Sequence, residues 1–255
     1  MSLLIIFCAI AIFIYMTANF VVALWRQRTD IADIAWGFGF ILVAIICLLS
    51  QDSFTTRMLI ISALILIWGL RLSLYLFFRN RGKGEDQRYQ LWRLEWGENF
   101  VPKAFLEVFL LRGLFMFLMA APLFLVSVYD NNTLDYIDMI GIAVWLLGFI
   151  LEAVSDGQLS MFTKRFGEDK ILKTGLWKYS RHPNYFGESL QWWGIFLLAI
   201  SVNFGYLAVV SPIIITIMVA LVSGIPVVEK QYRDNSEYQE YKKKTNAFWP
   251  WFPRS

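Results

Sequence analysis

The chain has little from which to build a protein-ligated metal centre: two cysteines, Cys8 and Cys47, and one histidine, His182, in 255 residues. No Cys-x-x-Cys spacing occurs, and a single imidazole cannot complete a histidine site. A protein-ligated zinc or iron centre is therefore not expected, and a disulfide scaffold is excluded. Both cysteines fall inside apolar runs and read as small buried apolar residues. Charge is also scarce, at 17% of residues against about 25% in an ordinary soluble domain. What is abundant is apolar sequence, 58% of the chain, gathered into runs that tile nearly its whole length. That pattern excludes a soluble enzyme and a disordered chain, and it leaves no stretch for a separate soluble domain.

A bilayer core about 30 Å thick needs about 20 apolar residues in a helix. Seven runs qualify: residues 3–25, 31–49, 58–78, 104–128, 136–155, 185–202 and 204–228. They are continuous rather than alternating, so they read as helices and not as barrel strands. No basic residue precedes the first run and no small-residue cleavage site follows it, so it reads as a span rather than a signal peptide. Of the 23 lysines and arginines, 20 fall in alternate connections: residues 26 and 28, segments 79–103 and 156–184, and the tail from residue 225. By the positive-inside rule this places the N-terminus outside and the C-terminus in the cytoplasm, with an odd number of spans. The expected fold is an all-α integral membrane bundle of seven transmembrane helices, one domain over residues 1–255. Its long cytoplasmic loops, 79–103 and 156–184, and the tail 229–255 form the ligand-facing side.

Ionisable residues at membrane depth are costly and point to function. Asp30 and Asp33 open the second run on one helical face, and Arg71 lies two-thirds along the third. Glu152 and Asp156 close the fifth, and Glu188 opens the sixth. All lie in the cytoplasmic half, where they could converge on one polar cavity, the alternative being a structural pair such as Asp33–Arg71. Arg112 reads as a snorkelling anchor. The loop Arg79-Asn80-Arg81-Gly82-Lys83-Gly84-Glu85-Asp86-Gln87-Arg88-Tyr89 combines cations suited to phosphates with glycines that let backbone amides approach a ligand. A plain positive-inside loop would gain nothing from its Glu85-Asp86 pair. The densest segment, 175–188, contains Tyr179, Arg181, His182, Pro183, Asn184, Tyr185 and Glu188, with Gln191, Trp192 and Trp193 beyond. Pro183 makes it a turn feeding a helix, whose opening amides at Asn184 favour an anion or a carboxamide oxygen. The tail, from Glu229 to Phe252, reads as an amphipathic helix on the membrane surface or as a cover over the cytoplasmic mouth.

The segment 175–188 resembles the bacterial branch of the steroid 5α-reductase family. The same resemblance extends to Trp68-Gly69-Leu70-Arg71-Leu72-Ser73, Gly84-Glu85-Asp86-Gln87-Arg88-Tyr89, Ser155-Asp156-Gly157-Gln158-Leu159 and the Tyr238, Tyr241, Phe248 and Pro250 tail, and it covers residue 30 to the end. It implies NADPH as cofactor, entering from the cytoplasm, and reduction of the C4–C5 double bond of a 3-oxo-Δ4 steroid. The substrate is an apolar, steroid-like enone taken from the membrane lipid. Also implied are a bacterial inner membrane location, a monomer and no nucleic-acid partner. By position, Asn184 and Glu188 match the nicotinamide side, and Asp156 the ribose or phosphate region. Arg71, Arg81, Lys83, Arg88 and Lys164 match its basic side, while Tyr179, Arg181, His182 and Tyr238 border the same cofactor. Asp33, Tyr75 and Glu188 are the implied catalytic groups, with Asp33 protonated to donate to the ketone. Asp33, Trp36, Trp68 and Trp192 line the substrate. Trp68 stands where the family has a tyrosine, and Tyr75, one turn beyond Arg71, is the candidate to replace it. Two other readings stand beside this one. The Arg-His-Pro-x-Tyr element also resembles isoprenylcysteine carboxyl methyltransferases, which implies S-adenosylmethionine and a lipid-like substrate. Outside enzymes, a lipid-binding scaffold or transporter is the alternative.

Overall fold

A computed structural model describes residues 2–167, 170–222 and 224–254. Among the described residues all regular structure is helical, and no strand occurs. Among the described residues six helical stretches are long and apolar enough to cross a membrane: Ser2–Arg26, Ile31–Leu49, Thr56–Asn80, Gln87–Tyr129, Tyr136–Phe166 and Gly205–Gln231. The chain divides into two compact units, Met1–Asp135 with Ala199–Val210, and Tyr136–Leu198 with Ser211–Ser255.

The first unit is built on α1 (Ser2–Arg26), α2 (Ile31–Leu49) and α3 (Thr56–Asn80). Outward-facing Leu3, Phe7 and Ile14 leave α1 an apolar surface suited to lipid rather than water. Helices α2 and α3 approach closely because both carry glycine at the crossing. A Cβ on Gly37 would stand 2.5 Å from the Gly69 carbonyl oxygen. Ser73 Oγ donates to the Ile34 carbonyl at 2.8 Å across the same contact, the small-residue packing that membrane helices favour. The expected fourth run becomes a longer broken helical stretch: α4 (Gln87–Trp96), α5 (Phe100–Lys103), a π-helical segment Ala104–Leu110, α6 (Leu111–Met119) and α7 (Ala121–Tyr129). Pro122 enforces the break between the last two, since it has no amide hydrogen to donate. At one end of this unit Arg57, fully buried, pairs with Asp130 and donates to the Thr133 carbonyl at 2.6 Å.

In the second unit, α8 (Tyr136–Phe166) runs for 31 residues, about 46 Å at 1.5 Å per residue. It therefore absorbs the first turns of what the sequence reads as the 156–184 loop. Nothing in that stretch breaks a helix until Gly167, whose φ of +91° ends it. α9 (Pro183–Ile200) packs antiparallel on α8, with Gly148 against Gly187 and Gly141 against Gly194. Its first half carries Asn184, Glu188, Ser189 and Gln191 and is too polar to join the six apolar stretches above. The expected seventh run is broken into α10 (Val210–Ile217), a π-helical segment Met218–Val222 and α11 (Ile225–Gln231). α12 (Ser236–Lys244) follows, capped by the Asn235 side chain, which accepts from the Tyr238 amide at 3.0 Å. The tail beyond it, residues 245–254, has no regular structure, so helix in the expected surface segment is limited to the end of α11 and to α12.

Candidate functional site

In the first unit the centre of charge is Asp33, in the first turn of α2. Its Oδ1 accepts from the Tyr89 hydroxyl and from Arg112 Nη2, both at 2.7 Å, and its Oδ2 accepts from Arg88 Nη2 at 2.9 Å. Arg112 also donates to the Tyr89 oxygen at 2.7 Å. Asp86 caps α4 by accepting from the Arg88 amide and holds the Arg88 guanidinium at 3.0 Å. Two aspartates thus balance two arginines. This corrects three expectations. Arg112 is a partner of Asp33 rather than a snorkelling anchor. The cations on Asp33 are Arg88 and Arg112, not Arg71. Finally, both Asp33 oxygens already accept hydrogen bonds, from two guanidiniums and a phenol, rather than donating one.

The surrounding loop is tied to itself. Glu85 accepts from the Thr29 amide at 2.6 Å and from Arg93 at 3.1 Å, while Asp30 accepts from Arg28 at 2.6 Å and from Asn80 at 3.2 Å. Glu85 and Asp86 therefore shape the loop rather than face a ligand. Arg81 and Lys83 are exposed, and the Lys83 carbonyl accepts from Arg28 at 3.0 Å. Arg71 and Arg79 both lie over the Tyr75 ring, at 5.7 and 5.6 Å. Trp36 and Trp68 each meet Phe40 edge-on, forming an apolar aromatic cluster.

The second unit carries the polar face of the α8–α9 pair. Asn184 Nδ2 donates to Asp156 at 3.1 Å, and two turns along α9 Gln191 Nε2 donates to Glu152 at 2.6 Å. Asn184 Oδ1 and Gln191 Oε1 are left buried with no donor. Glu188 lies one turn from Asn184 and is buried, as is Trp192. Lys164 is exposed near the end of α8.

Arg181 turns away from that face. Its Nε donates to Glu229 at 2.8 Å, and its Nη1 donates to the carbonyls of Lys242, at 3.2 Å, and Thr245. Glu229 also accepts from Lys242 at 2.6 Å, and His182 stands 3.6 Å from it. His182 stacks on Tyr185 at 5.4 Å, and burial holds its imidazole below the ordinary value of 6.5 despite the pull of Glu229. Tyr241 donates to the Trp177 carbonyl, and Trp177 Nε1 donates to the Ser155 carbonyl at 3.1 Å. Tyr238 stacks on Tyr232 at 4.9 Å, and burial pushes both the Tyr238 and Tyr241 phenols up. The tail is clipped along segment 179–181: the Trp251 amide donates to the Tyr179 carbonyl, and the Arg181 amide to the Asn246 carbonyl, both at 2.9 Å. So Asp156, Asn184 and Glu188 share one face, whereas Tyr179, Arg181, His182 and Tyr238 organise the tail. Sequence reasoning gave no site role to Tyr89, Arg112 or Glu229.

The family described as a protein of unknown function, DUF1295, matches residues 19–245, and the chain belongs to it. An uncharacterized protein of Schizosaccharomyces pombe is 25% identical over 209 residues, covering 69% of this chain and 59% of the relative. The chain thus spans about three-fifths of that relative's length. No solved structure matches the chain significantly.

Proposed function

We propose that this DUF1295 member is a membrane reductase. It uses NADPH to reduce a carbon–carbon double bond conjugated to a ketone in an apolar substrate, as in a 3-oxo-Δ4 steroid. The observation that carries the reading is the orientation of Asn184. Its amide nitrogen is committed to Asp156, which turns a buried carbonyl oxygen, lacking any donor, toward the polar face of α9. A buried acceptor without a donor costs about 1–3 kcal/mol, a cost that a ligand N–H removes. The carboxamide of a nicotinamide offers such an N–H, so the residues present fit the cofactor that the sequence resemblance implies. When bound, NADPH supplies the hydride, and the proton that completes the reduction at the carbon next to the ketone comes from water.

The chain's own residues do the rest. Asp156 fixes the Asn184 carboxamide, and Asn184 orients the ring by accepting from it. Glu188, on the same face and shielded from water, acts beside the nicotinamide. Glu152 and Gln191 continue the polar face along α9. We also propose that α9 is a seventh span, with the N-terminus outside and the C-terminus in the cytoplasm of a bacterial inner membrane. The alternation of basic connections supports this. Alkaline phosphatase and fluorescent-protein fusions at each connection test it.

For the activity, protein purified in detergent should carry or bind NADPH, and should oxidise it when testosterone or progesterone is added. Asn184→Ala should abolish both. Failure to bind NADPH, or to oxidise it across a broad enone panel, would refute the reading.

A further inference from the structure

The last residues of the chain present a rigid aromatic and cationic surface. Trp249, Trp251 and Phe252 are 67%, 68% and 73% exposed, three large rings within four residues. They do not dangle. The Trp251 amide is fixed to the Tyr179 carbonyl, the Arg254 amide donates to the Lys244 carbonyl at 2.8 Å, and the Phe252 ring meets Tyr179 edge-on at 5.9 Å. Phe248 and Trp249 are anchored on Phe186 at 5.5 and 5.3 Å. The exposed ring faces are therefore held outward by backbone hydrogen bonds and by neighbouring aromatics. Exposed Lys178, Lys243 and Lys244 lie along the same stretch.

The placement says what covers this surface. The tail is clipped to segment 179–181, immediately before α9 begins at Pro183, and so lies at the polar end of the α8–α9 pair. Tryptophan rings with lysines beside them, at the level where an apolar helix turns polar, match the boundary between headgroups and acyl chains. We propose that the Trp249–Phe252 surface docks on an anionic lipid headgroup layer, its rings entering the interface and its lysines meeting the negative charge. This does not depend on the reductase reading.

The test uses the full-length chain carrying Trp251→Cys, labelled with an environment-sensitive nitrobenzoxadiazole probe. Cys8 and Cys47 are fully buried, and the chain without the new cysteine serves as the labelling blank. In nanodiscs of phosphatidylcholine and phosphatidylglycerol in equal parts, the probe's emission should shift to the blue. It should also be quenched by lipids brominated high on the acyl chain, and less so in phosphatidylcholine alone. Lys243→Gln with Lys244→Gln should lower the ratio of inserted to water-exposed probe in the anionic discs by about thirtyfold, as expected for two cations near such a surface. Equal quenching in the two membranes would overturn the anionic-lipid assignment. A probe reporting water in both would overturn the surface altogether, as would capture of the tail by a protein in place of lipid.

Discussion

Replacing Arg181 by alanine is the most direct test of how the second unit is held together. The guanidinium is 6% exposed and makes bonds that no shorter side chain can make together: to the Glu229 carboxylate, and to two carbonyls at the end of α12. Its removal leaves Glu229, 10% exposed, with Lys242 and His182 as neighbours, and Lys242 is itself 47% exposed and solvated. An exposed lysine offsets only part of the loss. Breaking a buried pair costs about 3–5 kcal/mol, and because Lys242 stays in place the lower end applies, about 3 kcal/mol or about a hundredfold in the open population. The opening should be local, since Arg181 ties α11 to α12 and the tail while α8 and α9 pack through their glycines. Hydrogen exchange followed by mass spectrometry reads this directly. Peptides covering 236–254 should exchange about a hundredfold faster, with those of α8 unchanged. Arg181→Lys should fail to rescue, because an ammonium cannot serve a carboxylate and two carbonyls at once. Glu229→Ala combined with Arg181→Ala should cost less than the two singles summed. Unchanged protection over 236–254 in the alanine variant, or full rescue by lysine, would refute the reasoning.

Three further outcomes follow from particular contacts. Burial depresses the His182 imidazole, with Glu229, Arg181 and Tyr185 around it, so the folded state favours the neutral form. Stability is then complete above pH 6.5 and declines as pH falls below it, because the unfolded chain takes up the proton first; His182→Gln should flatten the thermal-melting profile between about pH 7 and 5. Gly148→Ala and Gly187→Ala would each set a Cβ 2.6 Å from the opposing backbone carbonyl and should cost about 1–3 kcal/mol in thermal unfolding. Gly157→Ala on the same helix meets nothing within 4 Å and should be neutral or stabilising. Arg112→Ala should destabilise the first unit by about 3 kcal/mol, with Arg112→Lys only a partial rescue; a loss under about 0.5 kcal/mol would restore the reading of Arg112 as a surface anchor.

Where the apolar pattern was long and ended in clear breakers, the sequence placed the helices well. α2 coincides with the run 31–49, and α1 and α3 differ from theirs by one or two residues at each end. The end of α8 was misplaced because hydropathy fell at Asp156 while helix propensity did not, and only Gly167 stops it. The pairing of charges was not legible at all. Asp33 and Arg112 are 79 residues apart, and Arg181 and Glu229 are 48 apart, so neither pair leaves a periodic trace in the sequence. The density of Arg181, His182, Asn184 and Glu188 correctly marked a special turn, but the turn divides its residues: the first two face the tail and the last two face α8.

That division rests on which amide atoms are already committed. Turning the Gln191 side chain over would set its carbonyl oxygen against Glu152, and turning Asn184 over would do the same against Asp156, so both nitrogens stay on α8 and both oxygens are left as acceptors. Seven residues separate them, two helical turns or about 10.5 Å along one face of α9. A bound molecule can satisfy both only if it carries donors spaced along that face, as a carboxamide at one end and a hydroxyl or ordered water at the other would. A small anion without a proton, such as sulfate, cannot, because it brings acceptors to acceptors. On the proposed reading the polar face of α9 should therefore prefer donor-bearing ligands, and binding of sulfate in competition with a nicotinamide at Asn184 would contradict it.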